Sequence, residues 1–282
     1  SLFIIAAMRV MAVGAPLLQR HNPVQPFAAR NPNYDPNSTD FFRTDRDEFI
    51  PQNNVAPSWE HWLGTDDGSR DIWARIVWGT RRSLGIGVTA LLVAVCTGAI
   101  VGIASGYFGG LLDTLVQRLL DALQSFPPLL LLILAATTLE LSLRNLILAL
   151  GLVGITQVSR LARGTVLALR ELPFIEAARL LGATDSRIMF RHILPNAIPT
   201  LIVVFTIGLP VAIIAEASLT FLGLTPPAPK GSWGEMLSDG VNIILTSPWQ
   251  SIFAGTAITL AVLAFNLAGD ALRDVLDPRL RV

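Results

Sequence analysis

Three histidines (His21, His61 and His192), one cysteine (Cys96) and one lysine (Lys230) bound the chemistry open to this sequence. A phosphate-cradling loop needs a lysine directly after a glycine. Lys230 follows Pro229, so ATP hydrolysis by that route is excluded. No histidine has a ligand-type neighbour at the spacing of a metal motif, and none can be assembled with a serine and an aspartate into a hydrolase triad. Neither a metal centre nor a catalytic site is therefore expected. The acids Asp45, Asp47, Asp66 and Asp67 lack the alternation of a calcium loop and read as solvated loop residues. Cys96 stands alone, which rules out a disulfide framework. Lysines and arginines total 21 and balance 21 acids, with no basic patch suited to nucleic acid. Two features remain. One is a run of arginines, Arg160, Arg163, Arg170, Arg179, Arg187 and Arg191, and the other is Glu216, an acid beside a long apolar stretch.

The elements that must position these residues are apolar. Hydrophobic residues make up 52% of the 282 and charged ones only 15%, against about 25% charged in ordinary globular domains. Leu84 to Gly106, Ile193 to Ala215 and Trp249 to Gly269 contain no charge at all, and each exceeds the roughly 18 residues that mark a spanning helix. The sequence predicts an all-α integral membrane protein with six spans: Leu2 to Leu18, Leu84 to Gly106, Leu115 to Leu139, Leu143 to Ser159, Asn196 to Leu222 and Pro248 to Leu272. The first contains Arg9, so either the span is shifted or Arg9 faces other helices. The second carries a small-residue step, Gly98 to Gly102, suited to close helix contact. The third carries Pro127-Pro128, which predicts a kink, and Asp121 three residues after Arg118, a spacing for an ion pair. Asp270 and Arg273 are similarly spaced.

Arginine density places the loop 160–195 in the cytoplasm. Counting from it puts both chain ends inside and the polar loop 20–82 outside, with Arg144 and Lys230 the only cations of the two short outer loops. The organisation is then residues 1–19 as a first, shortened span, 20–82 as an extracytoplasmic loop, and 83–282 as a five-helix core. The chain is apolar from Leu2, without a basic leader, so a cytoplasmic tail before the first span is expected to be missing.

Within the arginine-rich loop, Pro173 suits a first helical turn, Glu176 lies where the helix dipole favours an anion, and Gly182 is placed to end the helix. A short amphipathic helix against the inner membrane face is predicted. Glu176-Ala177-Ala178, then Gly182 and Leu194-Pro195, resembles the coupling loop of ABC importer permeases. Leu63-Gly-Thr-Asp66, Gly106-Tyr-Phe-Gly-Gly110, Ala215-Glu-Ala-Ser to Leu224, Ser232-Trp-Gly-Glu-Met-Leu237, and Leu263-Ala-Phe-Asn-Leu267 through Leu276-Asp-Pro278 extend the likeness from about residue 59 to the end. Together these motifs resemble the C-type permease of the dipeptide, oligopeptide and nickel subfamily. The chain departs from that pattern at Ser69, where the family has glycine, and in a longer preceding loop.

The resemblance implies a type I ABC importer permease fold in a bacterial or archaeal cytoplasmic membrane. It also implies a B-type permease as partner, two ATPase subunits carrying ATP and magnesium, and an external substrate-binding protein. No cofactor falls to this chain. Glu176, Ala177, Ala178, Gly182, Ala183 and Asp185 are then expected at the ATPase-docking helix. Arg179 and Arg187 either pair with ATPase acids or hold anionic lipid, and Glu216 either faces the pathway or makes a structural pairing. Peptides are the favoured cargo, with glutathione, nickel chelates and other small solutes as alternatives. A stand-alone channel or secondary transporter would need coupling groups inside its helices, and spans two, five and six are charge-free through their middles.

Overall fold

A computed structural model describes residues 2–30, 49–228 and 230–276. Asp45, Asp47, Arg279, Arg281 and the Asp277-Pro278 step lie outside the described residues. Four helices are long and apolar enough to cross a bilayer: α2 (Ile72–Phe108), α5 (Leu143–Leu169), α8 (Leu194–Phe221) and α10 (Trp249–Leu276). The predicted third span is two helices, α3 (Gly110–Gln124) and α4 (Pro128–Thr138), bent by 84° across the Pro127-Pro128 break. The prolines break the element outright instead of kinking it, because neither supplies an N–H to carry the ladder through. The shorter apolar α1 (Leu2–Leu18) completes the set. Short helices α6 (Pro173–Leu180), α7 (Asp185–Ile188) and α9 (Trp233–Asn242) flank the bundle, and β1 (Ala28–Arg30) pairs antiparallel with β2 (Phe49–Pro51).

α2 is the hub. At 37 residues it is about 55 Å long, well beyond the roughly 30 Å of a hydrocarbon core. Its first three turns therefore occupy what the sequence assigned to the loop 20–82. Asp71 starts it, its Oδ1 accepting from Ala74 N at 2.8 Å as an N-cap. Further along, α2 packs backbone to backbone on α5. A Cβ at Gly98 would lie 2.7 Å from Val158 Cβ, and one at Gly102 would overlap the Ser159 carbonyl oxygen. The predicted glycine step is this crossing.

The other expectations divide. α5 continues ten residues past Ser159, through Arg160 and Arg163, because both arginines reach acids on α3. Arg163 clasps Asp113 through Nε and Nη2, each at 2.6 Å. Arg160 pairs with Asp121, so Asp121 has Arg160 as its partner and not Arg118. Among the described residues no ion pair joins Asp270 to Arg273. On α1 it is Met8 that is buried against α2 and α10, while Arg9 is exposed. α9 was read only as a motif in an outer loop and is a ten-residue helix.

Candidate functional site: the segment 173–193 and the two ends of the bundle

Pro173 opens α6 at its first turn and Glu176 follows in that turn. The helix stops at Gly182, whose φ of +76° is the left-handed conformation glycine adopts without strain. Gly182 N donates to Arg179 O at 2.9 Å and Ala183 N to Ala178 O at 3.0 Å, which closes the C-terminus as a Schellman turn. Thr184 then caps α7 by accepting from Arg187 N. α7 passes through a π turn, Met189–Ile193, into α8, with Leu194 N reaching back to Met189 O.

Helical phase divides this segment into an inner and an outer face. Ile175, Ala178, Ile188 and Ile193 are buried in one cluster with Val166 of α5 and Tyr107 of α2. Glu176, Ala177, Arg179, Gly182, Asp185 and Arg187 are exposed and Ala183 is half-buried. Leu180 and Leu181 stand at the tip, 83% and 88% exposed. Of the residues expected at the docking surface, Ala178 turns inward, where its small side chain lets α6 lie close on the core, and Ala183 packs half-buried against the same cluster.

The segment is tied to the bundle at Tyr107. The Tyr107 hydroxyl donates to Asp185 Oδ1 at 2.6 Å, and the Arg179 guanidinium sits 5.6 Å from the same ring. Arg170 Nη1 donates to Gly106 O at 3.1 Å. These contacts link α6 and α7 to the end of α2. The role of Tyr107 has no local sequence signal, since Asp185 is far away in the chain.

Glu216 is fully buried on α8, accepting from Thr220 Oγ1 at 3.1 Å while its Oε2 has no partner among the described residues. It lies outside the wall of a groove of about 610 Å³ between α2, α3, α4, α5 and α8. Ala215 and Ser218 line that groove on either side of it in sequence, and Gln124, Thr156 and Gln157 are among its few polar wall residues.

The opposite end of α2 is held by charge. Arg75 and Asp66 are both completely buried and paired, Arg70 Nε donates to Asp66 Oδ2 at 2.8 Å, and Arg75 Nη2 lies 3.5 Å from Asp239 on α9. Trp233 Nε1 donates to Ile76 O at 3.2 Å, fixing α9 over the first turns of α2. Burial raises the carboxyls of Glu235 and Asp239 above their ordinary values, with Arg75 opposing the rise in both. Ser69, the departure from the family pattern, has φ of +55°, so the backbone turn that glycine would favour is still made. His21 and His61, distant in sequence, are brought together with Asp71 at this end.

The broken third span, the long arginine-bearing α5 and the short helix preceding α8 define a membrane permease subunit. The chain belongs to the family described as the binding-protein-dependent transport system inner membrane component, whose model matches residues 98–282.

Among its relatives, the dipeptide transport system permease protein DppC of Alkalihalophilus pseudofirmus is 44% identical over 83% of this chain and 77% of that one. The oligopeptide transport system permease protein OppC of Bacillus subtilis is 38% identical over 99% and 85%. The glutathione transport system permease protein GsiD of Pectobacterium atrosepticum is 42% identical over 81% and 76%. In structure the chain is similar to the inward-facing MetNI methionine ABC transporter, with TM-score 0.53 and 20% identity over 71% of this chain and 97% of that one. It is likewise similar to an amino acid ABC transporter, with TM-score 0.54 and 16% identity over 71% and 94%. The fold is that of a type I importer permease.

Proposed function

We propose that this chain is the C-type transmembrane subunit of an ATP-driven peptide importer, paired with a B-type permease, served by two ATPase subunits and supplied by an external binding protein. The observation that carries the reading is the outer face of α6. Glu176, Ala177, Arg179 and Gly182 surround two leucines that the chain itself leaves uncovered, while the inner face is locked to α2 through Tyr107. Such a surface suits insertion into a partner cleft. ATP-driven closure of the ATPases would displace α6, and the Tyr107–Asp185 bond would pass the displacement to α2, which changes which side of the groove is open. ATP and magnesium belong to the partners, and this chain breaks no bond.

On this reading the arginine-rich end is cytoplasmic, together with both chain ends, and the end bearing α9 is extracytoplasmic. Arg187 and Arg191, both exposed, face the ATPase or anionic headgroups. Glu216 serves as a structural pairing beside the groove. The names of the peptide-transporting relatives support peptide cargo, and those of the glutathione relatives support a tripeptide-like alternative.

The test is co-purification of the four-subunit assembly with Leu180→Asp/Leu181→Asp in this chain. ATPase loss with the permease pair intact is expected, because two carboxylates would be buried without partners. Equal ATPase recovery from wild type and variant overturns the docking assignment. Proteoliposomes with the ATPases and ATP in the lumen and the binding protein outside then decide between dipeptide, longer peptide and glutathione uptake.

A further inference from the structure

We propose that His21, His61 and Asp71 form a binding site for one divalent transition-metal ion, of the imidazole-preferring class that includes Zn²⁺, Co²⁺ and Ni²⁺, which clips the segment after α1 to the loop and to the start of α2. One ligand atom on each of the three lies within 4.8 Å of the others. Donors on a tetrahedral centre with bonds of about 2.0–2.1 Å sit about 3.3 Å apart, so closing the set needs only small side-chain rotations.

Hydrogen bonding already selects the tautomers. His21 Nε2 lies 3.0 Å from the Glu60 carbonyl oxygen, and a carbonyl only accepts, so Nε2 carries the proton and Nδ1 keeps its lone pair. An outer ring N–H held by a backbone carbonyl is the usual support of a metal-bound histidine. His61 Nδ1 donates to Asp71 Oδ2 at 2.9 Å, while Asp71 Oδ1 stays on the Ala74 N–H. A metal ion replaces the proton shared by His61 Nδ1 and Asp71 Oδ2, that proton leaves to solvent, and His21 Nδ1 supplies the third donor. Two imidazoles and one carboxylate suit a borderline transition metal better than calcium or magnesium.

The surroundings are preorganised. His61 and Asp71 are buried and His21 is half-buried, which leaves a side for entry and for a water as fourth ligand. Phe27 packs its ring 4.5 Å from His21 and 4.8 Å from His61, closing one side with apolar surface. The site is distinct from the docking helix and from the groove. It needs no element of the transport reading.

The test uses the assembled transporter, purified through a tag without histidine, stripped with chelator and titrated with Co²⁺ followed by Zn²⁺ competition. Wild type is expected to show the visible absorption of nitrogen-ligated Co²⁺, bleached by Zn²⁺, and a higher melting temperature with metal. His21→Ala, at a half-buried position, should fold normally and weaken that binding by at least about tenfold. His192→Ala, at the other end of the bundle, should change neither. Should His61→Ala fail to assemble, His21→Ala decides alone. A Co²⁺ spectrum unaltered by His21→Ala, or no uptake by wild type above that of His21→Ala, overturns the proposal.

Discussion

At the α9 end, Asp66, Arg70, Arg75 and Asp239 make a chain of ion pairs beneath Trp233. At the opposite end the segment 173–193 rests on an apolar underside and one phenol–carboxylate bond, with its outer face open. The two constructions respond differently to force. Separating buried charges exposes each to a poorly solvating interior, so that end has one geometry and resists change. Sliding an apolar face along another costs little until contact is lost, so the α6 end can follow a partner. α2 touches both and is continuous between them, which makes it the element through which a soft end can act on a hard one.

The contrast breaks most readily at Arg75. Arg75→Met leaves Asp66 buried with only the partly exposed Arg70 beside it, and a loss of about 3–5 kcal/mol is expected. It should be read as a collapse of thermal stability in detergent, and an unchanged melting temperature would show that the α9 end is not held by charge. Gly102→Val attacks the shaft between the ends. Its side chain overlaps the Ser159 backbone, and a cost of about 1–3 kcal/mol with lower assembly yield is expected, whereas Gly85→Ala, which meets nothing within 4 Å, serves as the silent control.

Tyr107→Phe sharpens the comparison from the soft end. It should cost only about 0.5–1.5 kcal/mol and leave ATPase docking intact, yet lower the transport achieved per ATP hydrolysed, measured in proteoliposomes. Full coupling in that variant would mean the link to α2 runs elsewhere.

The smallest effect is expected at Glu235. Its folded carboxyl is raised by burial, so the folded state holds the proton more tightly than the unfolded one. Stability is therefore greatest below the unfolded value of about 4.3 and falls as pH rises from there through the folded value. Glu235→Gln should raise the melting temperature slightly at neutral pH, with the gain vanishing in acid. A gain that persists unchanged at low pH would assign it to packing instead of charge.

The long spans were legible because lipid-facing helices need uninterrupted apolar runs, and Gly98 and Gly102 announced a close crossing because only small residues permit one. The inward turn of Ala178 was also readable, since Ile175 three residues earlier fixes the buried phase. Other features left no local trace. Arg160 and Arg163 read as loop residues because the acids that draw them into α5 lie on another helix. Arg75 reads as a surface cation until Asp66 is seen beneath it. Pro127-Pro128 signals interruption but not its angle. α9 is too short for periodicity to separate it from a turn-rich loop, and the union of His21 with His61 depends on how a long segment folds back on itself.

Leu180 and Leu181 carry a consequence for the life history of the subunit. Burying a leucine side chain is worth about 1.5–3 kcal/mol, so with α6 docked as proposed, a chain that has not met its partner would bear an adhesive spot that the finished complex covers. The same two residues that would seat the subunit also advertise that it is an orphan. On that reading, quality control that recognises uncovered apolar surface would distinguish assembled from surplus copies.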